Sequence, residues 1–188
     1  TESPRYLSNS EYECILNIIS EFPEKYDSFL SDVFNLYRDT GMRLKEPFYA
    51  KLDGEWLTIK AINAKTNRPR YIELTTNQIA IVKKLKSITH LKEERGTKLA
   101  PVKKTHDIGY YSRMFKMACI DAGINDCKFH CLRHTYCVRE YLRTNDIYAV
   151  AKKTTHGSID TVLVYTKFDI RKLRSDFPDL IEGNKSYK

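Results

Sequence analysis

The sequence predicts a mainly α domain of the α+β class with one small antiparallel β-sheet, and three observations carry this. Apolar residues recur at helical spacing along most of the 188 residues. Two short runs, Trp56-Leu-Thr-Ile-Lys60 and Tyr71-Ile-Glu-Leu74, are the β-favouring stretches, and the polar segment between them reads as a hairpin connection. A content of 41% hydrophobic and 30% charged residues fits one globular domain with a real core.

Residues 1–7 are polar, contain Pro4 and show no period, so they read as the end of a linker. The domain is expected over 8–182, with 183–188 as a flexible tail. Ser8 and Glu11 have capping-box spacing, and Cys14, Ile15, Ile18, Ile19 and Phe22 then recur at helical intervals until Pro23. A second series, from Tyr26 through Phe29, Leu30, Val33, Phe34, Leu36 and Tyr37, runs to Gly41, a helix stop that leaves Arg43 just past the helix end. After the hairpin the pattern is helical at roughly 76–88, 107–122, 130–143, 146–153 and 158–168, with Asp107 and Ser158 as caps. The segment 168–181 carries Phe168, Ile170, Leu173, Phe177, Leu180 and Ile181 among charges, and it has two destinations open to it: a neighbouring subunit or its own core.

Charge is unevenly divided. Residues 1–40 hold three basic and eight acidic residues, a net of −5, while the remaining 29 basic and 16 acidic residues give +13. Such an excess suits a surface that neutralises nucleic-acid phosphates, although solubility alone can also account for it. Residues 83–104, with eight lysines and arginines, read as a wet basic loop. No stretch approaches the ~20 apolar residues of a membrane span, and no signal pattern opens the chain, so a cytoplasmic protein is expected. Five cysteines in apolar, helix-like segments read as reduced thiols.

Four separated segments carry the chemistry: Thr40-Gly-Met-Arg-Leu-Lys-Glu46, Ala64-Lys-Thr-Asn-Arg-Pro-Arg-Tyr-Ile-Glu-Leu74, His130-Cys-Leu-Arg-His-Thr135, and Thr155-His-Gly-Ser-Ile-Asp-Thr-Val-Leu-Val-Tyr-Thr166. Each alone is weak. In this order they resemble the TGxRxxE box, the lysine hairpin, the HxLRHT box and the final histidine-to-tyrosine box of tyrosine recombinases of the phage-integrase family. Two positions depart from the family pattern: Thr154-Thr155 stands where Leu-Gly usually precedes the last histidine, and Pro47 replaces an aliphatic residue, marking the first turn of a helix.

The resemblance implies a catalytic domain wrapped on one side of double-stranded DNA. It would cleave and rejoin strands through a 3′-phosphotyrosyl intermediate, as part of a tetramer that the C-terminal segment helps to build, with a helical core-binding domain expected on the N-terminal side in full-length relatives. The residues suit that chemistry. Arg43 and Arg133 can clamp the charge that grows on a phosphate, because planar guanidinium groups bind two oxygens and stay protonated. Tyr165 is the nucleophile; as its reference pKa is near ~10 it needs a base, for which His130 is the candidate. Lys65, with Lys60 as the alternative, would protonate the departing 5′ oxygen. His156 would bond a phosphate oxygen, and Glu46 would orient an arginine or histidine.

No cofactor is expected, since a phosphotyrosyl ester conserves the bond energy and the chain has neither a Walker loop nor an acidic cluster for paired metal ions. Cys127 with Cys131 and His130 with His134 are each four apart, but the spacing matches no familiar zinc finger. The rival readings are a type IB topoisomerase and a DNA-binding module without turnover.

Overall fold

The computed structural model of the chain describes residues 3–60, 69–91, 106–154 and 158–182. Helix α1 (Asn9–Glu21) opens with the expected capping box, the Glu11 amide donating to the Ser8 hydroxyl while the Ser8 amide donates to the Glu11 carboxylate. Helix α2 (Phe29–Thr40) buries Phe29, Leu30, Val33, Phe34, Leu36, Tyr37 and Thr40, and ends on Gly41 in the left-handed conformation, φ 66°. Pro47 stands in the first turn of the short α3 (Glu46–Tyr49), as its residue type predicts.

Strands β1 (Lys51–Asp53), β2 (Trp56–Ile59) and β3 (Arg70–Glu73) form an antiparallel sheet in that order, with Leu52, Leu57 and Ile72 in register on one face. The two expected strands are β2 and β3; β1 is an addition, too short to show a period. A two-residue parallel pair, β4 (Thr89–His90) with β5 (His106–Asp107), joins the end of α4 (Thr76–Ile88) to the start of α5 (Ile108–Asp121). Asp107 caps α5 by accepting from the Tyr110 amide.

Two apolar clusters hold the domain together, and helix α6 (Cys131–Thr144) runs through both. Its Cys131 and Leu132 belong to the larger cluster, where Phe34, Phe115 and Phe129 meet edge to face. Cys137 and Val138, further along the same helix, belong to the smaller one with Tyr6, Ile147, Val150, Val162, Tyr165, Leu173 and Phe177. Helix α7 (Ile147–Thr154) packs on α6. The single helix expected over 158–168 is instead α8 (Asp160–Leu163) followed by a 3-10 turn, Val164–Lys167, which carries Tyr165.

Residues near both ends of the described chain are tied into this smaller cluster. Helices α9 (Ile170–Asp176) and α10 (Asp179–Glu182) lie on their own α6, with Leu173 and Phe177 fully buried and Arg139 paired to Asp179 at 2.8 Å. Of the two destinations open to this segment, the chain's own core is the one seen. Tyr6 and Leu7, within the stretch expected as linker, are buried too. The Leu7 amide donates to the Thr135 hydroxyl, and the Tyr6 hydroxyl donates to Asp176. All five cysteines are free; Cys14 is exposed and the other four are buried. Among the described residues no helix is long and apolar enough to cross a membrane.

Candidate active site

The site forms where the chain leaves α2. Gly41 turns it through the left-handed region, and the carbonyls exposed by that turn are gripped from two sides. Arg133 donates through Nη1 to the Gly41 carbonyl at 2.5 Å and through Nη2 to the Thr154 carbonyl at 2.8 Å, so it ties α2 to α7. Arg70, from β3, donates through Nη2 to the Thr40 carbonyl at 2.6 Å. The Tyr37 hydroxyl holds the Leu44 carbonyl at 2.7 Å.

Within the turn, Glu46 folds back. Its Oε1 accepts from the Arg43 amide at 3.0 Å and from Arg43 Nη1 at 3.3 Å, and lies 3.9 Å from Arg133 Nη1; its Oε2 accepts from Arg70 Nη1 at 3.1 Å. One buried carboxylate thus faces three guanidinium groups. Glu46 and Arg133 are buried, while the Arg43 side chain is 52% exposed and free to reach a ligand. Burial, followed by the like charges of Arg43 and Arg70, pushes Arg133 down to about 10, which still leaves it protonated at neutral pH.

His130 precedes α6, with its ring set edge-on to His134 at a centroid distance of 4.7 Å. Burial and the neighbouring Arg133 and Arg43 hold its pKa below the ordinary histidine value, so it is neutral at pH 7 with a nitrogen open to a proton. His134 is pushed lower still, to about 4, by burial, His130 and Arg133.

Tyr165 is 2% exposed, and its hydroxyl lies 2.8 Å from Nδ1 of His134 rather than on His130. Burial first, then the Cys137 thiol beside it, raises its pKa well above the ordinary phenol value, while Arg133 opposes the rise. The phenol therefore keeps its proton, which it can donate to a neutral His134 whose own proton is on Nε2.

Arg43 and Arg133 both meet Glu46, His130 lies near these two arginines, and Tyr165 lies within the field of Arg133. Lys65 and His156 lie outside the described residues. Lys60, the alternative to Lys65, is exposed at the end of β2. Two residues go beyond the sequence reading. His134 was visible only as the second histidine of its segment, four residues after His130 on one helix. Arg70 sits in a basic, polar hairpin, where an arginine ordinarily means surface.

Comparison with known proteins bears on the family and the fold. The chain is 26% identical over 185 residues to the tyrosine recombinase XerH of Campylobacter jejuni, covering 91% of this chain and about half the length of that relative. Its fold is similar to that of a XerH site-specific recombinase bound to a palindromic difH substrate in a post-cleavage complex, with TM-score 0.61, 21% identity, and coverage of 93% of this chain and 52% of that one. It is also similar to the catalytic domain of bacteriophage HP1 integrase, with TM-score 0.59, 18% identity and coverage of 92% of both chains. The model of the phage integrase family matches residues 5–171, and the chain belongs to that family.

Proposed function

We propose that this domain cleaves and rejoins double-stranded DNA by transesterification through Tyr165. One observation carries the reading: two arginines, Arg43 and Arg133, meet at one carboxylate oxygen near a neutral histidine, and the tyrosine lies within the field of one of them. A phosphate between the guanidiniums would have its developing charge neutralised by groups already in position. The Tyr165 oxygen attacks phosphorus, a tyrosyl P–O bond forms and the P–O5′ bond breaks. The phenol proton passes to His130 once the ring has left His134, and the 5′ oxygen takes a proton from Lys65, with His156 binding a phosphate oxygen. Rejoining reverses these steps with the 5′ hydroxyl of another strand, so no external energy source is needed.

Exchange between two duplexes takes one subunit per cut strand, hence a tetramer. Relatives of similar fold are described as dimers on a core site and as bound to a cleaved difH substrate, which supports DNA as partner and self-association on it. The basic balance of residues 41–188 supports the same partner.

A pool of randomised, nicked duplexes tests the reading. The parent should capture a subset as adducts that survive detergent, and Tyr165→Phe should retain DNA binding with no adduct, since the nucleophilic oxygen alone is lost. Adducts formed by Tyr165→Phe would remove Tyr165 from the chemistry, and relaxation of plasmids without strand exchange would shift the reading to a topoisomerase.

A further inference from the structure

We propose that Arg70 is a positioning residue for the reaction: it takes up part of the charge of Glu46, so that Arg43 and Arg133 keep more of theirs for the phosphate. The proposal rests on the recombinase reading and adds to it a residue outside the expected set.

Glu46 stands within reach of both arginines that would hold the phosphate. Left alone with them, a buried carboxylate would draw both guanidiniums toward itself and cancel part of the field the substrate needs. Arg70 changes this. Its Nη1 holds Oε2 of Glu46, which leaves Oε1 turned to the Arg43 amide and side chain, and its Nη2 holds the Thr40 carbonyl just ahead of the Gly41 turn. One side chain therefore sets both the charge balance and the shape of the segment that presents Arg43.

Arg70 cannot do this from the substrate's side, since it is 4% exposed. Nor is it the residue that packing alone would select. Its Nε has no hydrogen-bond partner among the described residues, and burying a guanidinium with a donor unmet is costly. A lysine could meet one of its two acceptors but not both, because they diverge from a planar fork.

The test uses a duplex captured by the parent and reads three quantities for each variant: DNA affinity, the single-turnover rate of adduct formation, and the thermal midpoint. Arg70→Gln should bind DNA within about twofold of the parent and form adduct roughly 10- to 100-fold more slowly, the usual range for groups that orient a site from behind. The deciding variant is Glu46→Gln/Arg70→Gln, which removes both charges and keeps an acceptor for the Arg43 amide. It should regain about tenfold over Arg70→Gln, a coupling that mere scaffolding does not produce. Arg70→Lys should fall between parent and Arg70→Gln.

Parent-like rates in Arg70→Gln would overturn the proposal. So would a folded double variant no faster than Arg70→Gln, or, if Arg70→Gln does not fold, parent-like rates in Arg70→Lys. A parent that captures no duplex removes the recombinase reading instead, so the two failures are distinguishable.

Discussion

Two histidines four residues apart divide the work of one helix end. His130 faces the arginines, and His134 faces the tyrosine. His134 carries a measurable cost with acid. Its pKa is pushed down to about 4 in the folded chain against about 6.5 for an ordinary histidine, so between those values the unfolded chain binds a proton that the folded chain does not. Stability should therefore fall as pH drops from about 6.5 towards 4. Urea midpoints across that window should drop less steeply in His134→Gln than in the parent, and equal slopes would show that His134 is not held neutral. At this scale the sequence singled out Arg43, Arg133, His130 and Tyr165 as candidates through the order of their segments. The His134–Tyr165 contact was hidden because it spans 31 residues and depends on how the 3-10 turn packs. Arg70 was hidden because a charge in a polar hairpin gives no sign of facing inward.

Elements with a period were legible, and those too short to have one were not. Helices α1, α2, α4, α5, α6 and α7 follow their apolar spacing, and the caps at Ser8 and Asp107 stand where their residue types place them. Three-residue β1 and the two-residue β4 and β5 carry no alternation to read. Over 158–168 the chain passes from α8 into a 3-10 turn, and Val162 and Tyr165 from these two elements both enter the smaller core. Glycine at the end of α2 makes the sharpest element-scale prediction. A Cβ on Gly41 would meet the Tyr136 ring at 2.3 Å and would sit at φ +66°, whereas one on Gly54, at φ +58°, would meet nothing within 4 Å. Gly54→Ala should then cost about 1–2 kcal/mol for the backbone alone. Gly41→Ala should cost more and should also slow adduct formation, because the displaced turn carries Arg43. Equal thermal midpoints for the two variants would contradict this.

For the whole molecule, the second apolar cluster decides whether the C-terminal segment is an appendage or part of the domain. Truncation after Asp169 removes Leu173 and Phe177, each fully buried. At ~1.5–3 kcal/mol per side chain this amounts to about 3–6 kcal/mol, comparable with the whole stability of many domains. The shortened chain should show a sharply lower thermal midpoint and bind dyes that report exposed apolar surface. An unchanged midpoint would mean that the segment only rests on α6.

The same cluster has a consequence for how the protein is made. Tyr6 is bonded to Asp176 across 170 residues, and its ring packs on Phe168 and Phe177. The larger core draws its buried residues from positions 7–132 and can gather while synthesis continues, but the smaller one joins Tyr6 to residues as late as Leu173 and Phe177. During synthesis Arg43, Arg133 and Tyr165 therefore all emerge before Leu173 and Phe177, and the candidate site takes its final form only once α9 has been made.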